Sequence, residues 1–361
     1  MRSSLRLLTS LLLLAFSGVA TQAAENTFRF VVLSDTHVGK NDPVYQPGYD
    51  QIVRELVDSK TRPLAVFVTG DLTDHGRESE YDTFLATFVE PLKAAGIPLY
   101  AVPGSRDITE NTLALWTNKL GALWQAVTLQ QTRFILTCGV PVDLSGAFGT
   151  RHKPDSPFGL GQGGVLDSNQ LDWIRRELES PESRTAKIRV MMNHHPLWSH
   201  DFGDGEIKDT DLQGNPTAAG TLLRTWADTF GVDLFLCGNR HFQSPPIMHA
   251  FPDGRQTWHV LAESAILGQS NKTRDAKGKP RTFNGFGYEI FDVTGATVSH
   301  HRKALDTAGF ALVGPANTFD ITVAEPPTAP APAAEPAAAP AASPPNPEPA
   351  KSALVPEAPK Q

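Results

Sequence analysis

The sequence contains few cysteines and no strongly basic stretch. Cys138 and Cys237 are the two cysteines among 361 residues, which is too few for a disulfide framework. Both lie in apolar segments, which favours two buried free thiols over a bond between them. The 32 Lys and Arg residues are outnumbered by 39 Asp and Glu and form no cluster. Nucleic-acid binding through a basic surface is therefore not expected.

Long apolar runs are also scarce. Residues 7–16 form an apolar run that is shorter than the roughly 20 residues a membrane-spanning helix needs, and no later run is long enough either. Two arginines precede this run and small residues follow it, which is the pattern of a secretory signal peptide. We expect residues 1–24 to be cleaved between Ala20 and Ala24, giving a periplasmic or secreted protein. An uncleaved N-terminal anchor is the alternative.

The C-terminal residues 324–361 consist almost entirely of Pro, Ala and Glu. Such a composition cannot form a core, and it predicts a disordered, partly polyproline II tail. The tail would either hold the domain away from a cell-envelope partner or act as a solubilising appendage without a partner. Residues 25–323 remain for one domain of the size of an enzyme.

Within that domain, short apolar runs alternate with longer amphipathic runs, which predicts a layered α/β fold. Strands are predicted at residues 28–33, 64–69, 97–102, 133–138, 188–192, 234–237, 258–261 and 288–293. Helices are predicted at residues 49–59, 78–95, 168–179 and 217–230. Asp167 and Pro216 are the expected caps of the last two helices. Because the later strands follow one another without long helices, we expect two packed sheets with helices outside.

Acidic and histidine residues follow five of the predicted strands. The loops read Ser34-Asp35-Thr36-His37, Gly70-Asp71-Leu72-Thr73-Asp74, Gly104-Ser105-Arg106-Asp107, Asn193-His194-His195-Pro196 and Gly238-Asn239-Arg240-His241. Strand ends with short loops are where α/β folds collect functional residues. Oxygen and nitrogen donors from separate strand ends suit a divalent transition metal better than Ca²⁺.

Each loop taken alone has an ordinary structural explanation. Asp35 and Asp71 could cap helices or turns, His37 and His194 could be hydrogen-bonded core histidines, and Gly104 could close a turn. The ordered recurrence of metal-binding side chains after five strands favours a metal site over these explanations.

The order D-x-H, G-D-x-x-D, G-x-x-D, H-x-P and G-x-x-H, running over residues 28–241, resembles the calcineurin-like metallophosphoesterase family. Gly164-Val165-Leu166 and Gly287-Tyr288 agree with it further, and residues 194–199 resemble a loop of purple acid phosphatases. The resemblance implies a two-sheet β-sandwich flanked by helices, in four α/β/β/α layers, with a two-metal centre at one edge.

The resemblance also implies the metal ligands. The first metal would be held by Asp35, His37 and His241, Asp71 would bridge both metals, and His194 would bind the second. The second site departs from the family pattern at two positions. Ser105 stands where the family has Asn, and Asn239 stands where it has His. Both are weaker donors to a metal, so the second site is expected to bind less well.

The family's proton-donating histidine is replaced by Arg106. Its guanidinium can bind phosphate oxygens but cannot give up a proton at any useful pH. If the leaving oxygen needs a proton, His195 or His200 would have to donate it instead. Asp74 and Asp107 are expected to support the ligands without binding metal.

Three functions remain open from the sequence. The first is a metallophosphoesterase that hydrolyses phosphomonoesters or phosphodiesters by attack of a metal-activated water, with one or two ions of Fe, Mn or Zn. The second is a degenerate, non-catalytic protein that binds one metal or a phosphate-bearing ligand. The third is an interaction module in which the fold is only a scaffold and the Pro- and Ala-rich tail supplies the function. Residues 199–213 and 267–284 are expected to wall the substrate pocket.

Overall fold

The computed structural model describes residues 27–40, 42–58, 60, 62–108, 113–140, 164–198, 206–210, 216–241, 245–262, 264–266, 287–306 and 309–321. These residues belong to the unit Met1–Pro326, whereas the second unit, Pro327–Gln361, lies outside them. The predicted signal peptide, the predicted tail and His200 also lie outside the described residues, as do the predicted pocket walls apart from residues 206–210.

The described residues form two mixed six-stranded sheets. The first has the order β12-β11-β10-β1-β2-β3 and the second the order β4-β5-β6-β7-β9-β8. The strands of the first sheet are β1 (Thr27–Leu33), β2 (Ala65–Val68), β3 (Leu99–Ala101), β10 (Gly287–Thr294), β11 (Thr297–Asp306) and β12 (Gly309–Asp320). Those of the second are β4 (Gln125–Leu129), β5 (Thr132–Leu136), β6 (Ile188–Met192), β7 (Leu234–Cys237), β8 (Ile247–Ala250) and β9 (Gln256–Leu261).

Helices cover the outer face of each sheet. Against the first sheet lie α1 (Asp42–Asp58), α2 (Glu78–Phe84), a π-helical turn (Leu85–Val89), α3 (Glu90–Ala94) and α4 (Leu113–Lys119). The remaining helices are α5 (Ser168–Leu178), α6 (Pro181–Thr185) and α7 (Ala219–Phe230), of which α5 and α7 pack on the second sheet. None of the described helices is both long enough and apolar enough to cross a membrane.

Both faces of the central strands are buried. Along β1, Phe30 and Val32 face the second sheet, whereas Val31 and Leu33 face the helices. Successive side chains of a strand point to opposite faces, so a strand buried on both sides reads as a continuous apolar run. Between the sheets, the ring of Phe134 lies 5.1 Å from that of Phe30, centroid to centroid. The predicted fold of two packed sheets between helices is confirmed.

The sequence prediction missed four strands. All eight predicted strands are present, but β4, β8, β11 and β12 were not expected. Residues of β4 and β8 are mostly intermediate or exposed, and both strands are sheet edges. Edge strands with a solvated face lack the apolar run by which central strands are recognised.

The predicted start of α7 is wrong, whereas that of α5 is right. Asp167 caps α5 by accepting a hydrogen bond from the Gln170 backbone N–H at 2.8 Å. Helix α7 begins after Ala218, which has a left-handed backbone and no side-chain cap, rather than at Pro216. Asp209, distant in sequence, accepts a hydrogen bond from the Thr221 N–H at 2.7 Å. A cap supplied from another segment leaves no local signal in the sequence.

Both cysteines are free and buried, as predicted. Burial raises the pKa of the Cys138 thiol to about 12, so that thiol stays protonated and unreactive at neutral pH.

Candidate metal centre

The parallel strands of both sheets bring the five loops together. Strands β1, β2 and β3 run parallel, as do β5, β6, β7 and β9, so their carboxyl ends meet at one edge. The loops after β1, β2, β6 and β7 carry six buried ligand candidates, which are Asp35, His37, Asp71, His194, Asn239 and His241. The loop after β3 carries Ser105 and Arg106.

Four of these side chains converge on one point. Asp35, His37, Asp71 and His241, which we name the first ligand group, each offer one ligand atom within 4.8 Å of the others. His241 Nε2 lies 2.9 Å from Asp35 Oδ1 and 3.1 Å from His37 Nε2. Asp35 Oδ1 is buried and faces both of these imidazoles, with His37 Nε2 at 4.0 Å. Imidazole nitrogens and carboxylate oxygens that converge in this way fit a divalent transition metal, for which this donor set is suited.

In His194 and His37, the ring nitrogen Nδ1 contacts an oxygen of the protein, which leaves Nε2 to face the centre. His194 Nδ1 lies 2.8 Å from the carbonyl oxygen of Thr69, so Nδ1 carries a proton, and in the neutral imidazole Nε2 carries the lone pair. That Nε2 is buried without a hydrogen-bond partner, 3.5 Å from Asp71 Oδ1. His37 Nδ1 similarly faces Asp74 Oδ1 at 3.2 Å. Carbonyl or carboxylate support of this kind is typical of metal-binding histidines.

Left-handed backbone conformations are concentrated at the centre. Among the described non-glycine residues, seven have positive φ, and five of them are Asp35, His37, Asp71, Asn239 and His241, with φ between 44° and 70°. Each such conformation costs about 1–3 kcal/mol, and it persists only where the surroundings enforce it. Strained residues of this kind cluster at functional sites, which supports a binding role for these loops.

Two glycines allow the loops to approach each other. A Cβ at Gly104 would lie 2.1 Å from the backbone N of Asp71, and one at Gly238 would lie 2.0 Å from Ser34 Oγ. Neither distance is compatible with a side chain, so any substitution would push the third or the fifth loop away from the ligands.

The second ligand group consists of Asp71, Ser105, His194 and Asn239. Asp71 Oδ1, the oxygen that faces His194, already accepts a hydrogen bond from the Arg106 N–H at 2.7 Å and one from Ser105 Oγ at 3.5 Å. The backbone N–H of Asn239 donates to Asp35 Oδ2 at 3.1 Å. The loop of Ser105 therefore contacts the Asp71 carboxylate and the loop of Asn239 contacts the Asp35 carboxylate. The second ligand group contributes only one imidazole, that of His194.

Arg106 lies at the rim, beside Asp74. Its guanidinium Nη1 is 3.8 Å from Asp74 Oδ1 and 3.4 Å from the Asp74 carbonyl oxygen, and 40% of its side chain is exposed. Burial alone would raise the pKa of Asp74, but His37 and Arg106 lower it to about 2. Asp74 is therefore an anion that contacts a candidate ligand on one side and the candidate phosphate-binding cation on the other.

Asp107 is buried and shapes the third loop. Its carboxylate accepts hydrogen bonds from the backbone N–H groups of Thr73 at 2.9 Å and Gly104 at 2.8 Å. Burial, together with the negative charge of Asp71, raises the pKa of Asp107 to about 7. Its role as a support of the metal ligands stays a prediction.

The His195 ring lies 4.9 Å from that of His194, centroid to centroid, in an edge-to-face arrangement. Its backbone N–H donates to Asn193 Oδ1 at 2.8 Å. Its ring is packed so closely beside Gly139 and Gly164 that a Cβ at either position would lie 2.9 Å from His195 atoms. The prediction that His195 or His200 supplies a proton stays a prediction, and His200 lies outside the described residues.

Hydroxyl groups that support Asp35 were not found by sequence reasoning. Ser34 Oγ donates to Asp35 Oδ2, and Ser264 Oγ donates to the Asp35 carbonyl oxygen at 2.8 Å. Burial alone would raise the pKa of Asp35, but His241, His194 and His37 lower it well below its usual range. Ser34 adjoins a ligand in sequence and could have been suspected, whereas nothing in the sequence around Ser264 indicates a contact with Asp35.

Residues 28–242 match the family model described as calcineurin-like phosphoesterase, which is more than half of the chain. The chain belongs to the calcineurin-like phosphoesterase family. Membership puts it among the phosphoesterase hydrolases, and it confirms the resemblance stated from the five loops.

Similar proteins agree with this assignment. A dimetal phosphatase from Danio rerio superposes with a TM-score of 0.53 at 12% identity, covering 82% of this chain and 99% of that one. A purple acid phosphatase, PPD1, from yellow lupin seeds superposes with a TM-score of 0.53 at 16% identity, covering 83% of this chain and 55% of that one. At these identities the likeness concerns the fold alone.

A probable glycerophosphodiester phosphodiesterase, GpdQ, from Arcobacter nitrofigilis is 31% identical over 87 residues. The match covers 22% of this chain and 30% of that protein, so the chain spans less than a third of this relative's length.

Proposed function

We propose that the protein is a metal-dependent phosphoesterase that hydrolyses phosphodiesters, or monoesters with good leaving groups, by attack of a metal-activated water. The observation that supports it most is the first ligand group, in which four buried side chains bring their ligand atoms within 4.8 Å of one another. Buried carboxylates and imidazoles without a cation would have to be neutralised at a cost in free energy. Family membership supplies the reaction class.

The first ligand group would hold one divalent ion of Fe, Mn or Zn, and Asp71 with His194 would contribute to a weaker second position. When bound, such an ion would supply Lewis acidity that activates a water and neutralises phosphoryl oxygens. The chain itself fixes the orientation of the ligands. Thr69 directs Nε2 of His194 inward, and Asp74 contacts the outer nitrogen of His37.

Arg106 would bind the phosphate group of the substrate. Its guanidinium lies at the rim with much of its side chain exposed, and Asp74 holds it beside the loop that carries Asp71. A guanidinium presents a planar fork of donors to two phosphate oxygens. It would therefore replace part of the charge that a well-held second ion would provide.

The same residue restricts the substrate class. Because Arg106 cannot donate a proton, the leaving oxygen receives no acid catalysis from this position. Aryl esters, whose phenolic leaving groups have a lower pKa than alkyl alcohols, satisfy this condition best. The partial likeness to a probable glycerophosphodiester phosphodiesterase is compatible with a diester substrate.

Export is part of the proposal. It rests on the composition of residues 1–24 alone. Cell fractionation, with N-terminal sequencing of the mature protein, tests it: the expected mature N-terminus lies between Ala20 and residue 25. Recovery of the uncleaved chain in the membrane fraction would favour the anchor instead.

The test of the activity is hydrolysis of an aryl phosphodiester and an aryl phosphomonoester by metal-free protein supplied in turn with Mn²⁺, Zn²⁺ and Fe²⁺. Asp71→Ala should reduce the rate to background, because Asp71 belongs to both ligand groups. Asp292→Ala is the matched control, since it removes a carboxylate from the same sheet at its ion pair with Arg29. A folded protein that shows no turnover above Asp71→Ala with any metal would favour the non-catalytic binding protein.

A further inference from the structure

A charged network is buried between the sheets, outside the two ligand groups. Glu289 on β10 and Arg302 on β11 are direct cross-strand partners, with 3% and 2% of their surfaces exposed. Arg302 Nη1 donates to Glu289 Oε1 at 2.8 Å, and His300 Nε2 lies 3.1 Å from Glu289 Oε2. Although burial alone would raise the pKa of Glu289, Arg302 and His300 lower it to about 2.

Arg302 also reaches towards the metal centre. Its Nη2 donates to the carbonyl oxygen of Ser264 at 3.2 Å, and Ser264 Oγ donates to the carbonyl oxygen of Asp35 at 2.8 Å. The next residue, Ala265, donates its N–H to the carbonyl oxygen of Ser34 at 2.7 Å. Two hydrogen bonds therefore connect the buried guanidinium to the backbone of a candidate ligand.

The chain makes room for this guanidinium. A Cβ at Gly287 would lie 2.5 Å from Arg302 Nη2, so this position requires glycine for the arginine to reach Ser264. Lysine could not replace the arginine fully, because a single ammonium lacks the planar fork that contacts Glu289 and Ser264 in fixed directions.

Stability alone is a weak reason to bury such a network. The desolvation of a buried ion pair cancels much of its attraction, and well-packed apolar residues often serve the fold equally well. Asp35, in contrast, has a left-handed backbone with φ of 49°, which persists only if its surroundings hold it. A rigid contact behind Ser264 provides such support.

We propose that Arg302, held by Glu289, is a positioning residue for Asp35 and acts through Ser264. The inference rests on the proposed function, because it assigns Arg302 a role in shaping the first ligand group for its ion. It predicts that the affinity for that ion depends on Arg302 and Glu289, which lie outside both ligand groups.

Metal titration of the full chain tests this role without an activity readout. Arg302→Met and Ser264→Ala should each weaken Co²⁺ binding by about ten- to a hundredfold and alter the visible spectrum of the bound Co²⁺. Arg302→Lys should lie between Arg302→Met and wild type. Because the two residues act in series, the double variant Ser264→Ala/Arg302→Met should be no weaker than the worse single variant.

Arg29→Met is the matched control. Arg29 forms a bidentate ion pair with Asp292 on the same sheet, with both distances at 2.7 Å. Its loss should lower the melting temperature but leave the dissociation constant for Co²⁺ unchanged. A dissociation constant for folded Arg302→Met or Ser264→Ala within twofold of wild type would overturn the inference. If Arg302→Met does not fold, Ser264→Ala decides alone. Wild-type protein that binds no Co²⁺, Mn²⁺ or Zn²⁺ would overturn the proposed function together with the inference.

Discussion

The two ligand groups of the metal centre are assembled from neighbouring strand ends, yet they differ in what they offer an ion. The first group has two carboxylates and two imidazoles with ligand atoms within 4.8 Å. The second shares Asp71 and adds His194, but its other members are a serine and an asparagine. The strained backbone extends to both groups, since Asp71 and Asn239 have positive φ. Loop geometry and donor chemistry can therefore differ independently, and retained geometry does not guarantee a second ion.

The largest difference between the two ligand groups is expected when an imidazole is removed from each. His241→Ala should abolish tight metal binding and hydrolysis, because His241 lies against both Asp35 and His37. His194→Ala should leave the tight ion in place and lower the rate by about ten- to a hundredfold. Calorimetric metal titration and aryl-diester kinetics measure both effects. Equal loss of the tight ion in the two variants would mean that the groups do not act separately.

The next largest effect is expected at Arg106. Arg106→Gln should lower kcat/KM for an aryl phosphodiester by about a hundredfold, because a preorganised charge on the phosphoryl oxygens is lost. Arg106→Lys should recover part of the lost kcat/KM, because lysine restores the positive charge but lacks the planar pair of donors of a guanidinium. Inhibition by inorganic phosphate should weaken in the same order.

Arg77→Gln is the control for that series, since Arg77 is a surface arginine nearby that pairs with Glu80 at 3.7 Å. An Arg106→Gln enzyme with unchanged kcat/KM and unchanged phosphate inhibition would remove Arg106 from substrate binding.

The smallest expected effect comes from repairing the second group. Ser105→Asn/Asn239→His restores the family's donors, and it should tighten the second ion by about tenfold or more. Histidine can adopt the required backbone here, because His37 and His241 already have φ of 44° and 53°. Binding stoichiometry by calorimetry is the measurement. If the folded double variant binds the second ion no more tightly than wild type, then these two donors are not the reason why the second ligand group binds more weakly.

Much of this centre was predictable because its ligands follow buried strands. Runs such as residues 30–33 are apolar on both faces, which makes both the strand and the loop after it recognisable in the sequence. The order of Asp35, Asp71, His194 and His241 along the chain then indicated one shared edge. The metals, the substrate and the catalytic roles of individual residues stay predictions.

What escaped prediction depends on contacts between distant segments. The half-exposed strands β4 and β8 lack an apolar signature, and α7 is capped by Asp209 from another segment. The path from Arg302 through Ser264 to Asp35 depends on the register of β10 against β11. A two-residue turn at Gly295 and Ala296 joins these strands and fixes their register, but β11 itself was not predicted, so Arg302 could not be placed opposite Glu289.

The most direct test of the inequality between the two ligand groups is a calorimetric Mn²⁺ titration of the metal-free wild-type chain. One tightly bound ion is expected, with any second ion bound at least about tenfold more weakly, because two of the second group's donors are a hydroxyl and an amide. Two ions bound with equal affinity would contradict this inequality.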